Sequence, residues 1–139
     1  MYPEDLIAPM RSELIQAGFE EARTAEAVEA ALTAEKGTTL YVINSVCGCA
    51  AGSARPGVVS AVSQAKNKPT RMVTSFAGND GAAVARAREL MLPFPPSSPC
   101  VALFKDGELV HMIERHHIEG RPASMIAENL QKAFDTFCA

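Results

Sequence analysis

The sequence lacks tryptophan, has only two tyrosines and carries no excess of positive charge. Its 16 acidic residues outnumber 13 basic ones, which gives a net charge of −3 at pH 7. Non-specific binding to nucleic acid or to an anionic membrane needs a positive field, so neither partner is expected. No apolar run approaches the roughly 20 residues of a membrane-spanning helix. Acidic residues stand at positions 4 and 5, where a secretory signal carries Lys or Arg, and we therefore expect a cytoplasmic protein.

The composition that is present is that of one folded domain. The chain has 139 residues, of which 47% are apolar and 21% are charged. Typical domains run to about 100–200 residues, so residues 1–139 are expected to form a single domain. The chain also has four cysteines. In a reducing compartment, clustered cysteines are more often catalytic or metal-binding than structural.

The order of the predicted elements favours a thioredoxin-like fold. Two β-branched and apolar runs are separated by a predicted helix, which predicts parallel strands joined by a right-handed crossover. A glycine-centred turn then makes the last two strands an antiparallel hairpin. We expect an α/β fold with a central four-stranded mixed sheet flanked by helices and an N-terminal helical extension. The predicted strands are 38–44, 70–77, 100–104 and 109–113; the predicted helices are 3–17, 25–34, 49–65, 81–91 and 122–137; residues 114–120 are predicted as a loop.

The candidate site is the segment Cys47-Gly48-Cys49, which follows the first of the long predicted strands and begins a predicted helix. Backbone N–H groups at a helix N-terminus are unpaired and stabilise a negative charge. A thiolate there has a lowered pKa and attacks more readily at neutral pH. Cys47 is therefore predicted to be the nucleophile and Cys49 the resolving thiol. Gly48 is expected to supply the backbone freedom that a disulfide between them needs.

Pro99 stands immediately before the apolar run 100–104 and the hairpin. This arrangement resembles the proline, strand and hairpin of thioredoxin, in which a cis proline packs beside the cysteine loop. An X–Pro bond prefers trans by only about 0.5–1 kcal/mol, so its surroundings can hold it in cis. We predict a cis Ser98–Pro99 bond near the cysteines. The alternative is an ordinary loop proline before an edge strand.

Charged residues near the pair are candidates for a supporting role. Arg55 follows Cys47 by about two helical turns and can raise the local potential, although it is equally consistent with a solvated arginine. His116 and His117 lie in the predicted loop before the last helix, which borders the cysteine site in this fold. A histidine there favours a thiolate when charged or accepts a proton when neutral. The alternative is a pair of solvated loop histidines.

Two further cysteines leave other hypotheses open. Cys100 is expected near the pair, either as a third redox thiol or as a small strand residue, and the penultimate Cys138 is either a redox thiol or incidental. A metal- or iron–sulfur-binding protein is a rival: Cys47 and Cys49 would need a third ligand, such as Cys100 or a histidine. Cys-x-Cys matches the usual zinc spacing poorly. A non-catalytic thioredoxin-like interaction module is the other rival.

Five segments carry a specific resemblance to a known family. They are Asn-Ser-Val-Cys-Gly-Cys-Ala-Ala-Gly at 44–52, Ala-Arg-Pro at 54–56, Phe-Ala-Gly-Asn-Asp at 76–80, Pro-Ser-Ser-Pro at 96–99, and Arg-His with Ile-Glu-Gly between 115 and 120. With them the sequence resembles the bacilliredoxin family over nearly the whole chain. The resemblance implies an enzyme that removes bacillithiol, a small thiol, from S-bacillithiolated proteins. It implies that Cys47 attacks the mixed disulfide and that Cys49 or free bacillithiol resolves it. Disulfide isomerase or reductase activity is also implied.

The same resemblance implies what the protein works with. No bound cofactor is expected, and bacillithiol is the co-substrate. A separate NADPH-dependent flavin reductase of bacillithiol disulfide would complete the cycle. The sequence departs from the pattern expected of this family at Cys100, where a small hydroxyl residue is usual. It departs from thioredoxin in that Tyr41 stands roughly where thioredoxin has an acidic residue, and in that no tryptophan precedes the cysteines.

Overall fold

The β-branched and apolar runs form strands that agree closely with those expected from the sequence. A computed structural model describes residues 1–139. Its elements are α1 Glu4–Ile15, β1 Glu20–Glu21, α2 Ala25–Leu32, β2 Thr38–Asn44, a π-helical turn Ala50–Ala54, α3 Arg55–Gln64, β3 Arg71–Phe76, α4 Gly81–Leu90, β4 Cys100–Lys105, β5 Glu108–Ile113, α5 Arg115–Ile118 and α6 Ala123–Phe137. No helix is both long and apolar enough to span a membrane.

The strands form one mixed sheet in the order β1-β3-β2-β4-β5. Strands β2 and β3 are parallel, whereas β4 runs antiparallel to β2 and β5 antiparallel to β4. The hairpin between β4 and β5 turns at Asp106 and Gly107, both of which have positive φ values of 52° and 84°. Glycine adopts this left-handed backbone readily, and aspartate is among the residues that tolerate it. The expected thioredoxin-like α/β arrangement with flanking helices is confirmed.

The sheet has five strands, one more than the four predicted. The additional strand, β1, consists of Glu20 and Glu21 and pairs in parallel with Val73 and Thr74 of β3. Two adjacent glutamates carry neither the alternation nor the β-branched side chains that indicate a strand. This pairing is made by the backbone at the open edge of β3, which local sequence does not encode.

Two further elements differ from the prediction. Residues predicted as the loop 114–120 include the short helix α5, whose first turn is held by Glu114 and His117: the Glu114 N–H donates to His117 Nδ1 at 3.1 Å. The helix predicted over 49–65 begins with a π-helical turn before α3 continues it. Pro56 is the second residue of α3 and directly follows this π-helical turn, in which the Arg55 N–H donates to Ala50 O.

The core has two layers because alternate residues of a strand face opposite sides of the sheet. On one face, Leu40 and Val42 of β2 pack with side chains of α3 and α6. On the other, Tyr41 and Ile43 pack with side chains of α2 and α4. Every residue of β2 is buried. The carboxyl end of this strand is therefore a fixed platform for whatever follows it.

The N-terminal helix is fastened to the sheet by a buried ion pair. Arg11 of α1 donates two hydrogen bonds of 2.9 Å to the carboxylate of Asp80, which also accepts the Phe76 N–H at 2.8 Å. The Arg11 and Asp80 side chains are only 7% and 2% exposed. Burial alone raises the pKa of Asp80, but the hydrogen bonds from Arg11 and Phe76 outweigh it and leave the pKa below its usual value. The pair therefore stabilises the fold whenever Asp80 is ionised.

Asp80→Asn tests this pair. Removing one partner of a buried ion pair costs about 3–5 kcal/mol when the other charge is left uncompensated. Arg11 keeps its more exposed partners Glu4 and Glu21, so we expect the lower end of that range. A carboxyl group whose pKa is lower in the folded than in the unfolded state stabilises the fold fully at pH values above its unfolded-state pKa, near 3.9. This stabilisation is lost as the pH falls through the folded-state pKa. We expect the wild-type free energy of unfolding to decrease below about pH 4 and to decrease less in the variant. Urea unfolding between pH 3 and 7 measures this, with exposed Asp5→Asn as the control. An Asp80→Asn protein as stable as the control would contradict it.

Gly57→Ala tests the packing of α3 on α6. A Cβ at Gly57 would lie 2.7 Å from Ile126 Cβ and 2.9 Å from the Ala123 carbonyl oxygen. Overpacking of this kind costs about 1–3 kcal/mol. The matched control is Gly52→Ala in the π-helical turn, where a Cβ meets nothing within 4 Å, and about 0.4–1 kcal/mol of stabilisation is expected from reduced unfolded-state entropy. Thermal unfolding of both variants should shift the melting temperatures in opposite directions.

Candidate active site

Cys47 stands where β2 has ended and a helix begins. Its carbonyl oxygen accepts the N–H groups of Ala50 and Ala51 at 3.1 and 3.2 Å, which places Cys47 at the cap of the helix. The N–H groups of Gly48 and Cys49 have no hydrogen-bond acceptor within the protein. These free donors and the positive end of the helix dipole favour a thiolate. The expected position of the cysteine pair at the sheet edge is thus the one observed.

The two thiols are joined as a disulfide, with their Cα atoms 5.5 Å apart. Both Cys47 and Cys49 are partly exposed, and Cys49 also packs against the core cluster shared with α3 and α6. Cys49 therefore lies within bonding reach of Cys47, which a resolving thiol requires. Gly48 has no positive φ, and a Cβ there would meet no atom within 4 Å. The turn does not need glycine for its backbone or its space, contrary to expectation.

Pro99 follows a cis peptide bond, as predicted. The next residue, Cys100, is the first of β4 and pairs with Ile43 near the end of β2. This register places Ser98 and Pro99 alongside the segment that follows Ile43, at the same sheet edge as the cysteine turn.

Arg55 is buried rather than solvated, with its side chain only 3% exposed. It donates hydrogen bonds to Ser45 O at 2.7 Å, Asn44 Oδ1 at 3.0 Å and Glu13 Oε2 at 3.0 Å. Asn44 in turn donates from Nδ2 to Met10 O at 3.1 Å. Sequence reasoning identified Arg55 but missed Glu13 and Asn44. The one available signal was that Arg55 is the single charged residue among the mostly small and apolar residues 50–64. A helix of that composition is expected to be buried, so its arginine is expected to be buried with it.

His116 and His117 have different surroundings. His116 is 69% exposed, and its Nε2 lies 3.8 Å from Glu114 Oε2. His117 is partly buried and its Nδ1 accepts the Glu114 N–H. His116 also lines an open polar groove of about 510 Å³ between the segment before Pro99 and α5. The groove residues are Pro95, Pro96, Ser97, Ser98, Glu114, Arg115, His116 and Glu119.

Cys100 lies beside the cysteine turn in register but does not face it. It is 1% exposed and belongs to the core cluster of Tyr41 and Ile43, whereas Cys49 packs on the cluster of the opposite sheet face. Burial raises the pKa of Cys100 to about 12. The backbone of Cys100 is near the pair, as expected. The expectation that its thiol approaches the pair is wrong, because alternate strand residues face opposite sides of the sheet and the Cys100 side chain faces away from Cys49.

Cys138 lies at the other end of the sheet. It is partly buried near Thr38 and Lys105, which pair at the start of β2. Burial raises its pKa, against the opposing effects of Thr38 and Lys105. The seven residues of β2 rise by about 3.3 Å each, which separates the ends of the strand by roughly 20 Å. Cys138 thus cannot form a disulfide with Cys47 within the folded chain.

Potential metal ligands do not gather around the cysteines. The group of ligating atoms that lie within 4.8 Å of one another belongs to Glu114, His116 and His117 and contains no cysteine. The third ligand that a Cys47–Cys49 metal centre requires is therefore not brought to the pair.

Tyr41, at the approximate position of the thioredoxin acid, is fully buried. Burial raises the pKa of its hydroxyl, which keeps it protonated and unable to act as a base at neutral pH.

Comparison with known proteins agrees with this geometry. Residues 2–138 match the model of a family described as "Disulphide isomerase". A bacilliredoxin of Cytophaga hutchinsonii is 58% identical over 135 residues, covering 97% of this chain and 98% of the relative. A bacilliredoxin of Bacillus licheniformis is 50% identical over 137 residues, covering 99% and 95%.

Solved structures match at the level of the fold. A putative oxidoreductase with a thioredoxin fold has a TM-score of 0.63 at 15% identity, covering 81% of this chain and 96% of that one. An Entamoeba histolytica thioredoxin has a TM-score of 0.59 at 14% identity, covering 86% and 99%. Together with the exposed cysteine pair at a helix N-terminus, these findings show that the chain belongs to the bacilliredoxin family of thioredoxin-fold thiol–disulfide oxidoreductases.

Proposed function

We propose that this oxidoreductase removes bacillithiol from S-bacillithiolated proteins in the cytoplasm, with Cys47 as the nucleophile. The observation that carries the proposal is the Cys47–Cys49 pair, partly exposed at a helix N-terminus and joined over one intervening residue. The names of its relatives point to the same co-substrate. A non-catalytic module would not need a partly exposed cysteine pair at the carboxyl end of the central strand.

The chemistry is two successive thiol–disulfide exchanges. The Cys47 thiolate attacks the bacillithiol sulfur of the mixed disulfide, and the protein substrate leaves as its thiolate. Cys49 then attacks the Cys47 sulfur, which releases bacillithiol and forms the Cys47–Cys49 disulfide. Alternatively, a second bacillithiol attacks the bacillithiol sulfur of the Cys47 adduct, which releases the Cys47 thiolate and forms bacillithiol disulfide. A separate NADPH-dependent flavin enzyme would supply the two electrons that restore the reduced thiols.

The polar groove beside Pro99 is the proposed place for the bacillithiol part of the substrate. It lies at the sheet edge that carries Cys47, and none of its lining residues is an aliphatic or aromatic hydrophobe. The hydroxyls of Ser97 and Ser98 and the exposed ring of His116 offer hydrogen-bonding groups to a polar small thiol.

Disulfide isomerisation is a second candidate activity. The family description names it, and it uses the same first step, attack by Cys47 on a protein disulfide. Release of Cys47 by a different thiol of the substrate, rather than by Cys49, distinguishes isomerisation from reduction.

Cys47→Ala and Cys49→Ala separate the two roles. With a bacillithiolated protein and free bacillithiol, we expect Cys47→Ala to release bacillithiol at the uncatalysed rate, because the nucleophile is absent. We expect Cys49→Ala to stay within about tenfold of wild type, because bacillithiol can resolve the adduct. Mass spectrometry should find bacillithiol on Cys47 of the second variant. Full activity of Cys47→Ala would overturn the assignment.

The buried Cys100 is expected to stay out of the cycle. With a pKa of about 12, its thiolate fraction is roughly one part in ten thousand at pH 8. Iodoacetamide should label Cys47 of the reduced native protein first and Cys100 only after unfolding in urea, as read by peptide mass spectrometry. Cys100→Ala should keep turnover within about twofold of wild type, since it removes no thiolate from the cycle. Loss of turnover in that variant would instead assign Cys100 a redox role.

A further inference from the structure

A buried guanidinium supports the segment that leads into the cysteine turn. Arg55 Nη1 donates to Ser45 O at 2.7 Å and to Asn44 Oδ1 at 3.0 Å. Both acceptors belong to the residues between the body of β2 and Cys47. Asn44 Oδ1 also accepts the Ser45 N–H at 2.8 Å, and Ser45 Oγ accepts the Cys47 N–H at 3.4 Å. A continuous set of hydrogen bonds therefore runs from Arg55 to the backbone of Cys47.

The same hydrogen-bond network also includes two residues of helix α1. Arg55 Nε donates to Glu13 Oε2 at 3.0 Å. Asn44 Nδ2 donates to Met10 O at 3.1 Å. Two contacts from one helix thus hold the two side chains that contact the turn. Glu13 is 46% exposed, so its carboxylate also connects the buried arginine to the surface.

We propose that Arg55 and Asn44 are positioning residues for Cys47, with Glu13 of the N-terminal helix fixing the orientation of Arg55. The proposal deepens the proposed function, since it rests on Cys47 being the nucleophile. The effect of a helix dipole is confined to the first turn. A displacement of about 1 Å at a reacting group can cost a hundredfold in rate. Holding residues 44–47 therefore preserves both the thiolate and its line of attack.

The geometry of the guanidinium is what the role requires. Arginine presents several donors in a rigid plane, which lets one side chain bind Glu13 through Nε and the turn through Nη1 together. Lysine keeps the charge but has a single flexible ammonium group. Arg55→Lys thus separates positioning from a purely electrostatic effect of a nearby cation.

The experiment measures Cys47 alone. In the reduced chain carrying Cys49→Ala, the rate of Cys47 alkylation by iodoacetamide is followed from pH 5 to 10 by mass spectrometry. We expect Arg55→Lys and Glu13→Ala to lower the plateau rate by about tenfold and to raise the apparent pKa of Cys47. Glu13→Gln keeps an oxygen that can accept the Nε–H, and it should recover most of the rate lost in Glu13→Ala.

A matched control changes the other buried arginine of the α1 contact. Arg11→Lys disturbs a bidentate pair with Asp80, yet Arg11 hydrogen-bonds no residue of the cysteine turn. We expect it to lower the melting temperature while leaving the alkylation profile of Cys47 unchanged. The proposal is overturned if Arg55→Lys alkylates as wild type does, or if Arg11→Lys slows alkylation equally.

The readout also separates this proposal from the proposed function. Alkylation needs no bacillithiol. If the Arg55 and Glu13 variants slow alkylation but the wild type does not release bacillithiol from proteins, the positioning network stands and the substrate assignment fails. If the wild type releases bacillithiol and the variants alkylate and turn over normally, the substrate assignment stands and the positioning network fails.

Discussion

Backbone hydrogen bonds on both sides of β2 are the constraint on which the rest of the structure depends. This strand pairs in parallel with β3 and antiparallel with β4, and both of its faces are covered by helices. A strand paired and covered in this way has little freedom to shift, because a slip of one residue would turn Tyr41 and Ile43 to the wrong layer. The cysteine turn begins at the carboxyl end of β2, so the sheet holds in place the backbone that leads into Cys47.

The charges of two buried arginines are neutralised by ion pairs that involve the N-terminal helix α1. Arg11 and Arg55 are both buried, and each has a carboxylate partner: Asp80 for the first and Glu13 for the second. Both pairs join α1 to elements far along the chain. The helical extension to the thioredoxin fold is therefore part of the scaffold around the site. One pair fastens the helix to the end of β3, and the other brings it to the cysteine turn.

The sequence allowed the site to be located, because the cysteines, the β-branched run before them and the proline before the last strands are local patterns. The thioredoxin-like topology followed from the same patterns, and the cis bond at Pro99 followed from their resemblance to thioredoxin. The surroundings of the site were not predictable in this way. Arg55 meets Glu13 across 42 residues of sequence, and β1 exists only because β3 offers an open edge. The opposite facing of Cys100 and Cys49 depends on strand register, which composition does not reveal.

The bare middle position of the cysteine motif has a consequence for how partners approach. Gly48 is solvent-exposed, and nothing crowds the space where a side chain would stand. A side chain at this position would fold without difficulty and would extend into solvent from the residue that separates the two partly exposed cysteines. Glycine adds no bulk there, so the surface beside the two cysteines consists of backbone alone.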